Sequence, residues 1–175
     1  LIFLGLKILS DGTLPLRDQA PIREFLLGMG DAPLTAIIAS GVLTAILHSS
    51  AATIGIAIVF ASHDLLTLNA AVPIVLGANV GTCATAWVSA LGAPIEARRV
   101  AAAHVVLKLI GVALVYPLIG PFTEGITFTA ESLARQIANA HTLFNVGLAV
   151  LFLPLSAPIA DWVERLVRQA PEAQE

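Results

Sequence analysis

Apolar residues fall in five stretches along this chain, at 1–9, 34–61, 65–91, 101–119 and 137–154, with short polar breaks between them. A helix needs about 20 apolar residues to cross a bilayer. The first stretch is too short for that, and Lys7 lies near its end. Residues 11–31 are polar and hold Arg17, Asp18, Arg23 and Glu24; the spacing of Ile22, Phe25 and Leu26 predicts a surface amphipathic helix. Residues 34–61 are long enough to cross once, or to enter and return as a hairpin, up to a break at Ser62-His63-Asp64. Residues 65–91 allow the same two paths and carry Pro73 and two glycines. A polar turn at 92–99 precedes the cleanest span, 101–119, which Gly120-Pro121 is expected to stop. A mildly acidic connection at 122–136 leads to the last span. Beyond it Trp162 suits an interfacial anchor, followed by Arg165 and Arg168. The pattern predicts one membrane unit over 1–168 and a polar tail over 169–175, expected to be disordered.

Composition strengthens the membrane assignment. The chain is 57% hydrophobic and 12% charged, with mean hydropathy +0.89, whereas soluble domains carry about a quarter charged residues. At 175 residues it fits four or five membrane passes. The net charge of -3 selects no partner, and no basic stripe suggests nucleic acid. A lone Cys83 rules out an intramolecular disulfide. The chain opens inside an apolar run without Met or a basic leader, so its start is expected to be the cut end of a longer protein, not a signal peptide. Arg17 and Arg23, Arg98 and Arg99, and Arg165 and Arg168 occupy alternate connections, which the positive-inside rule would place together in the cytoplasm.

Two polar strings interrupt the apolar stretches: His48-Ser49-Ser50-Ala51-Ala52-Thr53 and Gly77-Ala78-Asn79-Val80-Gly81-Thr82. A hydroxyl or amide in hydrocarbon is costly unless it has a partner or lines a cavity. Small polar residues and glycines also let a helix break where unwound backbone meets an ion. Helix breaks are therefore expected near 48–51 and near 77–81. On a helix, Ser50 and Thr53, Ser49 and Thr53, Asn79 and Thr82, and Thr82 and Thr85 would share faces. Their oxygens suit a hard cation such as Na+, with Ser50, Asn79 and Thr82 as its candidate ligands. Freed N–H groups at a half-helix start suit a phosphate-like anion. The plainer alternative is that Ser, Thr and Gly only let helices pack closely.

His48 can donate to a substrate oxygen, or be a neutral histidine bonded to a backbone carbonyl. His104, His141 and Asn145 are most simply interhelical hydrogen-bonders, and the histidines lack the close partners of a zinc site. Lys108 is expected to snorkel from near a span end, the alternative being a deeper charge partner. Cys83 is read as a packing residue.

The order LTAILHSSAATIGIAIV, VLGANVGTCATA, ARRVAAAH and IANAHTLFNVG resembles the type II sodium–phosphate cotransporter family. That family has two inverted repeats, each with a QSSS-type motif on a re-entrant hairpin and a GANIGTT-type motif after it. The chain to about residue 167 resembles the second repeat. By position, Ser49 and Ser50 match the first two motif serines, Ala51 replaces the third, His48 replaces the glutamine, and Thr53 matches the later threonine. Asn79, Gly81 and Thr82 match the second motif, with Cys83 in place of its second threonine. Leu107-Lys108 stands where a Phe-Asn pair is common, and His104 and the run 141–145 match later family positions.

The resemblance implies an all-α, multi-pass cell-membrane protein that is one inverted-repeat half of a secondary transporter with broken or re-entrant helices. It implies sodium-coupled phosphate symport without covalent catalysis, with inorganic phosphate, Na+ and the lipid bilayer as partners and Na+ the coupling ion in place of any cofactor. His48, Ser49, Ser50, Thr53, Asn79, Gly81 and Thr82 would bind substrate or ion. The first repeat would come from upstream sequence or a second subunit. A degenerate site in a membrane sensor or scaffold is the rival class. An intramembrane hydrolase is disfavoured because adjacent Ser and His point apart on a helix.

Overall fold

The computed structural model describes residues 2–168. The tail expected to be disordered lies outside them. Among the described residues the chain is helical, with no strand. Short helices α1 (Ile2–Thr13) and α2 (Ala20–Gly28) come first, followed by α3 (Pro33–Leu47), which is bent 110° from α2. The predicted amphipathic segment is α2, with Leu26 buried and Phe25 exposed. After α3 come α4 (Ser50–Ser62), α5 (Leu68–Ser89) and α6 (Ile95–Val115), then α7 (Ile119–Thr127), α8 (Leu133–Phe152) and α9 (Ser156–Leu166).

Residues 34–61 form a hairpin. Thr44 and Thr53 are nine residues apart, which would be about 13 Å along one helix. Their hydroxyls instead meet at 2.7 Å. The chain therefore doubles back between α3 and α4. At 15 and 13 residues, these helices are about 22 and 20 Å long, short of a hydrocarbon core of about 30 Å. The fold at this point is a re-entrant hairpin.

Residues 65–91 behave differently. The break expected near 77–81 is absent: α5 runs unbroken from Leu68 to Ser89, with Pro73 inside it. Its glycines serve close approach instead. A Cβ at Gly77 would overlap Ile37 O and Ser40 Oγ, and one at Gly81 would overlap Gly41 O and Thr44. The pairs 30–70, 41–77 and 44–81 advance together, so α3 and α5 lie parallel, backbone against backbone. Residues 70–79 of α5 are all buried, which makes it the central post of the fold.

The expected stop at Gly120-Pro121 is also absent. A 3-10 turn at Tyr116–Leu118 leads into α7, whose Pro121 sits in the first turn where no N–H is needed. Residues 95–127 and 133–166 each form one long apolar segment, so with α5 there are three spans by length and composition, or four with the bent α2–α3 pair. Apolar side chains such as Ile46, Phe128, Val150 and Leu153 are well exposed, as lipid contact allows. The described residues form a polytopic, all-α membrane protein.

The hairpin corrects the arginine arrangement. Arg17 pairs with Asp64 at 3.1 Å, beside the start of α5. Arg99 pairs with Glu164 at 3.3 Å, beyond the end of α5. A 22-residue helix, about 33 Å long, separates the two pairs. Arg17 and Arg23 thus lie at the opposite end from Arg98, Arg99, Arg165 and Arg168. The three clusters do not share a side, because residues 34–61 return to the side they entered from.

Candidate functional site

The hairpin turns on a single residue. His48 adopts the left-handed conformation at φ 54 and ψ 23, ending α3. Ser49 is extended at φ -152 and caps α4, its Oγ accepting from the Ala52 N–H at 3.2 Å. The C-terminal carbonyls of α3 and the N-terminal N–H groups of α4 therefore abut within two residues. Helix dipoles place partial negative charge at the first and partial positive charge at the second. The tip sets carbonyl oxygens beside N–H donors, level with Thr85 of α5.

His48 Nδ1 lies 3.2 Å from Thr85 Oγ1, tying the tip to α5. His48 is exposed, Ser49 and Ser50 are half-buried, and Ala51 and Ala52 are exposed. Among the described residues the Ser50 hydroxyl makes no hydrogen bond, and Ser50 is half-buried. Thr53 is 1% exposed and bonded to Thr44, and its Oγ1 also lies 3.4 Å from Ser49 O. It braces the hairpin below the tip.

The second motif faces elsewhere. Successive helical residues are rotated by about 100°. Gly77, Gly81 and Thr85 therefore face α3, while Asn79 points to the far side of α5. Asn79 is 2% exposed and its Oδ1 accepts from Lys108 Nζ at 2.7 Å. Thr82 Oγ1 donates to Asn79 O at 2.7 Å, on a face between the two. The sequence-predicted residues thus fall into two groups. His48, Ser49, Ser50, Thr53 and Gly81 belong to the hairpin side, Asn79 belongs to an α5–α6–α8 cluster, and Thr82 lies between the two.

Lys108 corrects the snorkelling expectation. It lies well inside α6, bonded to Asn79 and to Asn145 Oδ1. Sequence reasoning also passed over Thr44, a lone threonine in an apolar run, and gave Thr85 no role of its own. Its nine-residue spacing from Thr53, with Ser-Ser between them, is the signal that could have marked Thr44 as a hairpin residue.

A re-entrant hairpin carrying half-helix ends, packed parallel to a spanning helix, is the architecture of a secondary transporter. The chain belongs to the Na+/Pi-cotransporter family, whose model matches residues 1–157. It is 38% identical over 161 residues to the uncharacterized protein YqeW of Bacillus subtilis (strain 168), covering 88% of this chain and 52% of that protein. It is 25% identical over 174 residues to YjbB of Escherichia coli (strain K12), covering 98% of this chain and 32% of that protein, which carries the provisional description of inorganic phosphate export protein. It is 33% identical over 137 residues to human sodium-dependent phosphate transport protein 2B, covering 73% of this chain and 19% of that protein. The chain therefore spans about half the length of YqeW and less of the others. No solved structure matches it.

Proposed function

We propose that the full-length protein carries inorganic phosphate across the cell membrane by Na+-coupled symport, and that this chain is one of its two inverted repeats. The observation that carries the proposal is the hairpin tip, where Ser50 Oγ and the Ser50 and Ala51 N–H groups at the start of α4 lie beside the carbonyl end of α3, the Ala52 and Thr53 N–H groups being taken up by Ser49. Phosphate takes N–H and O–H donors; Na+ takes carbonyl and hydroxyl oxygens. The first repeat, from upstream sequence or a second subunit, supplies the opposite wall. Family membership and the name of the human relative support phosphate and sodium. The name of the Escherichia coli relative points to export, so direction is set by the gradients imposed.

The test is radiolabelled phosphate flux in proteoliposomes of the full-length protein. Uptake should require an inward Na+ gradient, and reversing the gradient should reverse the flux. Flux indifferent to Na+ would overturn the coupling. No phosphate flux under any gradient would favour the sensor or scaffold class.

A further inference from the structure

Asn79 on α5 and Asn145 on α8 each commit the amide nitrogen to the carbonyl one turn back in the same helix. Asn79 Nδ2 donates to Val75 O at 2.9 Å, and Asn145 Nδ2 donates to His141 O at 2.8 Å. With both nitrogens anchored, both Oδ1 atoms are left to point away, and they converge on one position between α5, α6 and α8. Lys108 Nζ occupies it, donating to Asn79 Oδ1 at 2.7 Å and to Asn145 Oδ1. The Phe144 ring closes another side, its centroid 5.7 Å from Nζ. Among the described residues Lys108 forms no ion pair. Its partners are neutral oxygens and an aromatic face, the ligand set that takes a monovalent cation. Anchored amides are also preorganised, since neither can turn its oxygen away without giving up a backbone bond.

We propose that Lys108 is a tethered cation. Its Nζ fills a Na+-type site built by Asn79 Oδ1 and Asn145 Oδ1, so the chain carries as a fixture a cation that would otherwise arrive from solution. Two consequences follow. Asn79, a candidate Na+ ligand by sequence, is closed to Na+ while Lys108 is present, leaving Ser50 and Thr82 from that set. Removing the side chain opens the position to a free ion. The consequence for coupling rests on the phosphate-transport proposal; the consequence for binding does not.

The experiment measures equilibrium binding of radioactive Na+ to the purified full-length protein, and the Na+ Hill coefficient of phosphate uptake in proteoliposomes. Lys108→Ala and Lys108→Gln should each bind one more Na+ per protein than the parent, while Lys108→Arg should match the parent. The added ion should disappear when Asn145→Leu is combined with Lys108→Ala. If uptake is Na+-driven, its Hill coefficient should rise by about one in the Ala and Gln variants. Equal Na+ counts in the parent and both neutral variants would overturn the proposal. So would loss of a Na+ ion from the otherwise unmodified protein on Asn145→Leu, a measurement that needs no folded Lys108 variant. Absence of phosphate uptake by the parent, with the binding result as expected, would count against the transport function alone.

Discussion

Thr44 and Thr53 share one hydrogen bond, 2.7 Å long, between residues that are 0% and 1% exposed. It is the clasp of the hairpin, and its two ends are unequal. Thr53 Oγ1 has Ser49 O as a second partner at 3.4 Å, whereas among the described residues Thr44 Oγ1 has Thr53 alone. Thr53→Val should therefore cost more than Thr44→Val, about 2 against about 1 kcal/mol, because an orphaned buried hydroxyl carries its full desolvation penalty. The double variant should cost less than the two single losses added together. Thermal unfolding in detergent orders the three; additive losses would show that the hydroxyls do not depend on each other.

Gly77 and Gly81 face backbone and side chains of α3, while a Cβ at Gly147 on α8 would meet nothing within 4 Å. Gly77→Ala and Gly81→Ala should each destabilise by about 3 kcal/mol or more, since the nearest atoms are carbonyls that cannot step aside without moving the helix. Gly147→Ala should be neutral or stabilising by up to about 1 kcal/mol, from better helix propensity. Similar melting temperatures for all three would show that α3 and α5 are not in backbone contact.

Ser49 and Ser50 should separate in their effects. Ser49 caps α4, so Ser49→Ala should cost about 1 kcal/mol of stability along with transport. Ser50 has no recorded bond to lose, so Ser50→Ala should leave the melting temperature unchanged. It should cut phosphate uptake about tenfold, the scale of one hydrogen bond to a charged ligand. Full uptake by Ser50→Ala at matched expression would remove it from the site.

His48 sits at φ 54, in a region that Gly and Asn enter readily and β-branched residues do not. His48→Gly and His48→Asn should fold with stability close to the parent, while His48→Val should lose about 1 to 2 kcal/mol. If Val were tolerated as well as Gly, the turn would have to be made at another residue.

Because residues 34–61 return to their own side, Ser62 and Ala97 flank α5 at opposite ends. In a Cys83→Ala background, Ser62→Cys and Glu131→Cys should react with a membrane-impermeant thiol reagent from one side, and Ala97→Cys from the other. Labelling of positions 62 and 97 from the same side would restore the crossing topology.

The break near 48–51 was legible because two serines interrupt an apolar run, but sequence left a single crossing and a hairpin equally open, since the contact that decides, Thr44 to Thr53, lies across the turn. The continuity of α5 was not, since Gly77 and Gly81 read equally as breakers or as packing residues, and only the arrival of α3 decides between them. The role of Lys108 was hidden for a related reason. Its partners lie 29 and 37 residues away, on two other helices, so no local spacing could bring the three together. Pro121 misled through position, because a proline that ends a helix and one that begins the next look alike in sequence.

The parallel seam between α3 and α5 also restricts how the tip can be placed. With carbonyls seated over Gly77 and Gly81, a slide of one turn would set one of them against the Cβ of Pro73 or Thr85. The seam therefore works as an index mark with a single setting, fixing where His48, Ser49 and Ser50 sit along α5 to within a helical turn.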